Sequence, residues 1–148
     1  MGSCTLEDRI IHYVRTGNYK MIQALYGIGF LESYDIFDLE GSGKHDGYLI
    51  LEIVARYPIP NYKEMIDIII INGLKVDCGY IQSFLETALI YKNFPTAAYL
   101  KFKGGIFRKE EVDKYNEISD IDIYAGLDYE YNKLVQEYSP IINRFIQQ

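Results

Sequence analysis

The most regular feature of the chain is an apolar pattern that is written more than once. Residues 18–30 (NYKMIQALYGIGF) and 61–74 (NYKEMIDIIIINGL) place large apolar side chains three and four positions apart, at Ile22, Leu25 and Tyr26 and at Ile66, Ile69 and Ile70. That spacing puts them on one face of an α-helix. A weaker copy follows at Ala97 and Leu100, with Lys101 standing where the apolar pattern should continue. Each copy closes on a glycine, Gly29, Gly73 or Gly104, the residue that best tolerates a left-handed helix C-cap.

A second short helix is expected upstream of each copy. Its shared core reads Ile11-His12-Tyr13-Val14, Leu51-Glu52-Ile53-Val54 and Leu85-Glu86-Thr87-Ala88. Two antiparallel helices joined by a tight turn such as Thr16-Gly17-Asn18 cannot bury their apolar faces alone, so such units stack. The repeats run over about residues 8–30, 46–77 and 80–107, which predicts an all-α solenoid of helix-turn-helix units. Residues 108–148 read as a degenerate fourth repeat or a helical cap. Within them, 128–137 has helical spacing through Tyr131, Leu134, Val135 and Tyr138, and a separate short helix is expected after Pro140, carrying Ile141, Ile142 and Phe145.

These units resemble the ankyrin repeat. Ile11-His12-Tyr13-Val14 is similar to that family's inner-helix start, Gly17 and Asn18 to its turn, and Leu25, Gly29 and Phe30 to its close. Asp46-Gly47-Tyr48-Leu49-Ile50-Leu51-Glu52 and Gly73-Leu74-Lys75-Val76-Asp77 match the opening and close of a second unit. The resemblance covers roughly residues 8 to 107 and implies one ankyrin-like domain over 1–148 with hairpin or loop fingers between repeats. The chain also departs from the pattern. The family's Thr-Pro pair is missing, its loop-tying His survives only as His12, and Glu52 and Glu86 take the other two places. Putting His12 in the family position requires a one-residue deletion before Gly17, because the ungapped register sets Tyr13 where a small residue belongs. Pro58 and Pro60 enlarge the second turn and forbid a continuous helix there.

Composition narrows the function. The chain has 148 residues, 49% hydrophobic and 15% aromatic, enough for one continuous core. Its net charge of -6, from 21 acidic and 15 basic residues, disfavours nucleic acid and anionic membrane as partners. Cys4 and Cys78 are too few for a disulfide framework, and the opening MGSCTLEDRI has neither a signal-peptide pattern nor, with Leu6 at the sixth position, a myristoylation signal. A cytoplasmic, intracellular location is expected.

Catalytic chemistry is sparse. Glu40-Gly41-Ser42-Gly43-Lys44-His45 resembles the end of a phosphate-binding loop, but Asp38 replaces its first Gly and His45 its magnesium-binding Ser or Thr. His12 and His45 are the only histidines, and no metal-ligand spacing is present. Glu110-Glu111 and Asp120 with Asp122 read as solvated charge in an acidic chain. No cofactor, no metal and no enzymatic activity are expected.

The resemblance instead implies a partner-binding module. Its contact positions, carried across residue by residue, select Arg15, Thr16, Arg56, Tyr57, Tyr91 and Lys92 before the turns and His45, Asp46, Tyr48, Tyr80 and Gln82 in the fingers. Tyr and Arg are enriched at the energetic centres of interfaces, which agrees with that choice. A second patch, Tyr34, Asp35, Phe37, Asp38 and Glu40, suits a basic partner protein. The expectation is a small adaptor or inhibitor, monomeric or weakly homo-oligomeric, that occupies a partner's surface. The alternatives are a nucleotide-binding or hydrolytic enzyme using the loop from Gly41 to His45, and a self-assembling scaffold.

Overall fold

The computed structural model describes residues 5–31, 46–72, 84–116 and 122–146. All regular structure among them is helical: α1 (Leu6–Arg15), α2 (Tyr19–Gly27), α3 (Asp46–Arg56), α4 (Tyr62–Ile71), α5 (Phe84–Ile90), α6 (Phe94–Phe102), α7 (Lys109–Asn116) and α8 (Ile123–Ile146). Their contacts form two rows. In one, α1 packs on α3, α3 on α5 and α5 on α7; in the other, α2 packs on α4, α4 on α6 and α6 on α8. Within units, α1 meets α2, α3 meets α4 and α5 meets α6.

Local chemistry explains where the helices start and stop. Thr5 and Asp8 form a reciprocal capping box at the start of α1, and Asn18 Oδ1 accepts from the Met21 amide to open α2. Both satisfy amide groups that a helix start leaves without partners. At the far end of α2 the Phe30 amide reaches the Leu25 carbonyl and the Gly29 amide reaches Tyr26. At the end of α6 the amides of Gly105 and Gly104 bond the carbonyls of Leu100 and Lys101 in the same way. Gly29 and Gly104 both have positive φ, so the sequence alignment of these closing glycines holds for the first and third units. Gly73 lies outside the described residues.

The core runs between the two rows. Ile10, Leu51 and Leu85 are buried at equivalent places in α1, α3 and α5, as are Val14, Ala55 and Leu89. Ile22, Ile66 and Ala97 are fully buried in the outer row.

The expected register of the first inner helix is corrected. The Asn18 amide bonds Tyr13 O and the Asn93 amide bonds Ala88 O, both at 2.8 Å, so Tyr13 occupies the place of Ala88 and no deletion is needed. A large side chain fits there because, among the described helices, α1 has one inner-row neighbour, whereas α5 is enclosed by α3 and α7. His12 therefore corresponds to Thr87 and is exposed, lying 6.0 Å from the Tyr13 ring; it is not a buried loop tie.

The separate helix after Pro140 is also corrected. α8 is continuous from Ile123 to Ile146 with Pro140 inside it. Proline removes one backbone hydrogen bond, but Ser139 Oγ donates to the Val135 carbonyl beside the break, and Leu134 and Tyr138 continue the stripe that packs toward the core.

Candidate binding surface

The turns between inner and outer helices lie side by side, and three asparagines help hold them. Asn18, Asn61 and Asn93 stand before the three outer helices α2, α4 and α6. Asn93, only 8% exposed, donates through Nδ2 to the carbonyls of Val54 (3.0 Å), Ala55 (3.2 Å) and Tyr57 (3.0 Å). Asn61 Nδ2 likewise donates to Gly17 O at 3.1 Å. Each unit thus fixes the turn of the unit before it. Gly17, at φ +72°, sits so close to the second turn that a Cβ there would lie 2.4 Å from the Pro60 carbonyl oxygen.

This arrangement aligns a ladder of cations and rings along the edge. The Arg15 guanidinium stands 5.0 Å from the centre of the Tyr57 ring, and that of Arg56 stands 5.6 Å from the Tyr91 ring. In both, the arginine of one unit covers the tyrosine of the next. Arg56 is further held by Glu52 at 2.7 Å, one helical turn back. Beside the ladder is an open groove of about 220 Å³ lined by Ile11, Arg15, Leu49, Glu52, Ile53, Arg56 and Tyr57. Its floor is aliphatic and its rim carries the charges.

Of the residues selected from sequence, Arg15, Arg56, Tyr57 and Tyr91 come together here. Thr16 is turned back on its own helix, its hydroxyl donating to the carbonyls of His12 (2.9 Å) and Tyr13 (3.2 Å). Lys92 has φ +59° and corresponds to Gly17 in the turn, so the third-unit counterpart of Arg15-Thr16 is Ile90-Tyr91, one residue earlier than expected. Asp46 and Tyr48 fall in the first turn of α3. His45, Tyr80 and Gln82, the second patch of Tyr34, Asp35, Phe37, Asp38 and Glu40, and the glycine-rich loop at 41–44 lie outside the described residues. Asp122 has a structural task, with Oδ1 accepting from the amides of Tyr124 and Ala125 at the start of α8.

Sequence reasoning missed the aliphatic groove residues and a second organised cluster on the outer row. There Tyr99 donates its hydroxyl to Asp67 at 2.7 and 2.8 Å, and Lys103 Nζ lies 3.3 Å from Asp67 Oδ1. Burial, with the Asp67 hydrogen bond second, pushes the Tyr99 hydroxyl well above the usual tyrosine range. The rings of Tyr62, Phe102 and Tyr138 continue the cluster from Tyr99. Asp67 also lines an open groove of about 400 Å³ with Tyr19, Lys20, Gln23, Glu64 and Ile68. The signal was the equal distance of Asp67 and Tyr99 from Asn61 and Asn93, which becomes meaningful only once α4 and α6 are paired.

Among the described residues no group of three or more His, Cys, Asp or Glu side chains is placed to hold a metal ion, and no helix is long and apolar enough to cross a membrane. No protein-family model, curated protein or solved structure matches the chain.

Proposed function

We propose that this chain is a non-catalytic protein-binding module, an ankyrin-type solenoid of three repeats closed by α7 and α8. It works inside the cell as a small adaptor or inhibitor by occupying a partner's surface. The contacts that run unit to unit in two rows support the solenoid reading. The paired stacks of Arg15 on Tyr57 and Arg56 on Tyr91, at the rim of an aliphatic groove, carry the binding reading. Arg and Tyr dominate energetic centres of interfaces, and side chains already held in place lose less freedom on binding.

The experiment is affinity capture from lysate with three baits: wild type, Arg56→Ala with Tyr57→Ala, and a control that removes another cation–ring pair, Lys133→Ala with Tyr129→Ala on α8. A protein retained by wild type and control but lost from the Arg56/Tyr57 variant supports the reading. Equal retention by all three contradicts it.

A further inference from the structure

At about 100° per residue along α8, Ile123, Leu127, Leu134 and Tyr138 fall on one stripe. Its first part is the seam with α6: Ile123, Leu127 and Leu134 are 1%, 2% and 5% exposed, Gly126 is pressed against the Phe94 ring, and Tyr138 stacks on Phe102 at 5.1 Å. Ile141 and Phe145 continue the same stripe, yet they are 61% and 79% exposed, and neighbouring Ile146 is 72% exposed. The reason is length. α8 has 24 residues and α6 has 9, so α8 is about 36 Å long against about 14 Å for the helix it covers. Its last two turns run past α6 with Ile141 and Phe145 left uncovered by the described helices.

The flank of this overhang is self-complementary in charge. Glu137 and Arg144 are seven residues apart, two helical turns, on the same side of the stripe. Helices that pair antiparallel about a two-fold axis near Ile141 bring Glu137 of each copy opposite Arg144 of the other. Glu137 is 57% exposed even while it meets Lys63 at 3.4 Å, so it remains accessible to a second cation. A parallel pairing would set like charges against each other.

We infer that the overhanging half of α8 is a homodimer contact, in which Ile141 packs antiparallel on Ile141 of a second copy and Phe145 lies along that copy's stripe between its Ile141 and Tyr138, with reciprocal Glu137–Arg144 pairs on the flank. The surface is separate from the Arg–Tyr edge, so the dimer presents two copies of that edge. The contact is smaller than the roughly 800 Å² per partner of a standard stable interface, so the dimer is weak and forms with rising concentration.

Sedimentation equilibrium of the full chain, from about 5 to about 500 µM, tests this. The expected result is a shift from the 17.2 kDa monomer toward twice that mass. Phe145→Glu, at an exposed position, should weaken association at least about tenfold while leaving the helical circular dichroism unchanged. Arg144→Glu alone and Glu137→Arg alone should each associate less than wild type, and an equimolar mixture should regain association, since both cross-pairs are then attractive. A chain that stays monomeric throughout overturns the inference and leaves the stripe to a different occupant. A dimer indifferent to Phe145→Glu overturns it as well, and a mixture no more associated than its components overturns the antiparallel arrangement.

Discussion

Glu86 on α5 and Arg108 ahead of α7 are joined by three hydrogen bonds, from the Arg108 amide (3.3 Å) and Nε (3.3 Å) to one carboxylate oxygen and from Nη2 (3.1 Å) to the other. The carboxylate is 2% exposed, whereas the Arg108 side chain is 59% exposed. Glu86 thereby ties the segment after α6 to the inner row.

Glu86→Gln keeps an acceptor for the Arg108 amide and should cost about 1 kcal/mol in urea unfolding. Arg108→Ala should lower the urea midpoint further than that, because it removes the guanidinium from a buried carboxylate and leaves it, among the described residues, the backbone amide at 108. Equal midpoints for Arg108→Ala and wild type would contradict the tie.

The turn asparagines give a graded test. Asn93→Ala should cost about 2–4 kcal/mol, since it leaves three clustered carbonyls without their donor in a site that is 8% exposed. Asn61→Ala removes one contact and also places alanine at φ +59°, a left-handed conformation that asparagine tolerates better, so it should cost about 1–2 kcal/mol, less than Asn93→Ala. Urea midpoints in the reverse order would show that the two turns are held differently.

Two glycines separate backbone strain from crowding. Gly29 has φ +78° with open space around it, so Gly29→Ala should cost about 1–2 kcal/mol from the left-handed conformation alone. Gly17→Ala adds the clash with Pro60 and should cost clearly more than that. Thermal melts of the two variants side by side measure the difference.

Alkaline pH probes the ring contacts. Burial, then the hydrogen bond to Asp113 (2.6 Å), pushes the Tyr124 hydroxyl up from the ordinary 10.0 to about 12. The folded state thus holds a proton that the unfolded state releases. Its stabilising contribution is complete below pH 10 and is lost as pH rises toward about 12. Tyr124→Phe should flatten stability across that window, read from urea midpoints at successive pH values. Unchanged slopes would mean that the pairing with Asp113 does not differ between the two states.

Much of the architecture was legible because helical periodicity and terminal glycines are local signals. Ile22, Ile66 and Ala97 announce the outer helices, and Gly29 and Gly104 end them as the pattern requires. What was not legible depends on neighbours. The register of His12 and Tyr13 is set by the turn hydrogen bonds and, among the described helices, by the one inner-row neighbour of α1. Pro140 reads as a break until its helix is seen to share a stripe with Leu134 and Tyr138. The ladder was half visible, as Arg and Tyr before the turns. That each arginine lies over the tyrosine of the next unit follows only from stacking the units.

The measurement closest to the central claim is amide hydrogen exchange of the chain with and without its captured partner, resolved by segment. Binding at the turn edge predicts slowed exchange in residues 11–17, 49–57 and 90–92, with the outer helices α4 and α6 little changed. Protection confined to α4, α6 or α8 would contradict the claim and move the binding surface to the outer row.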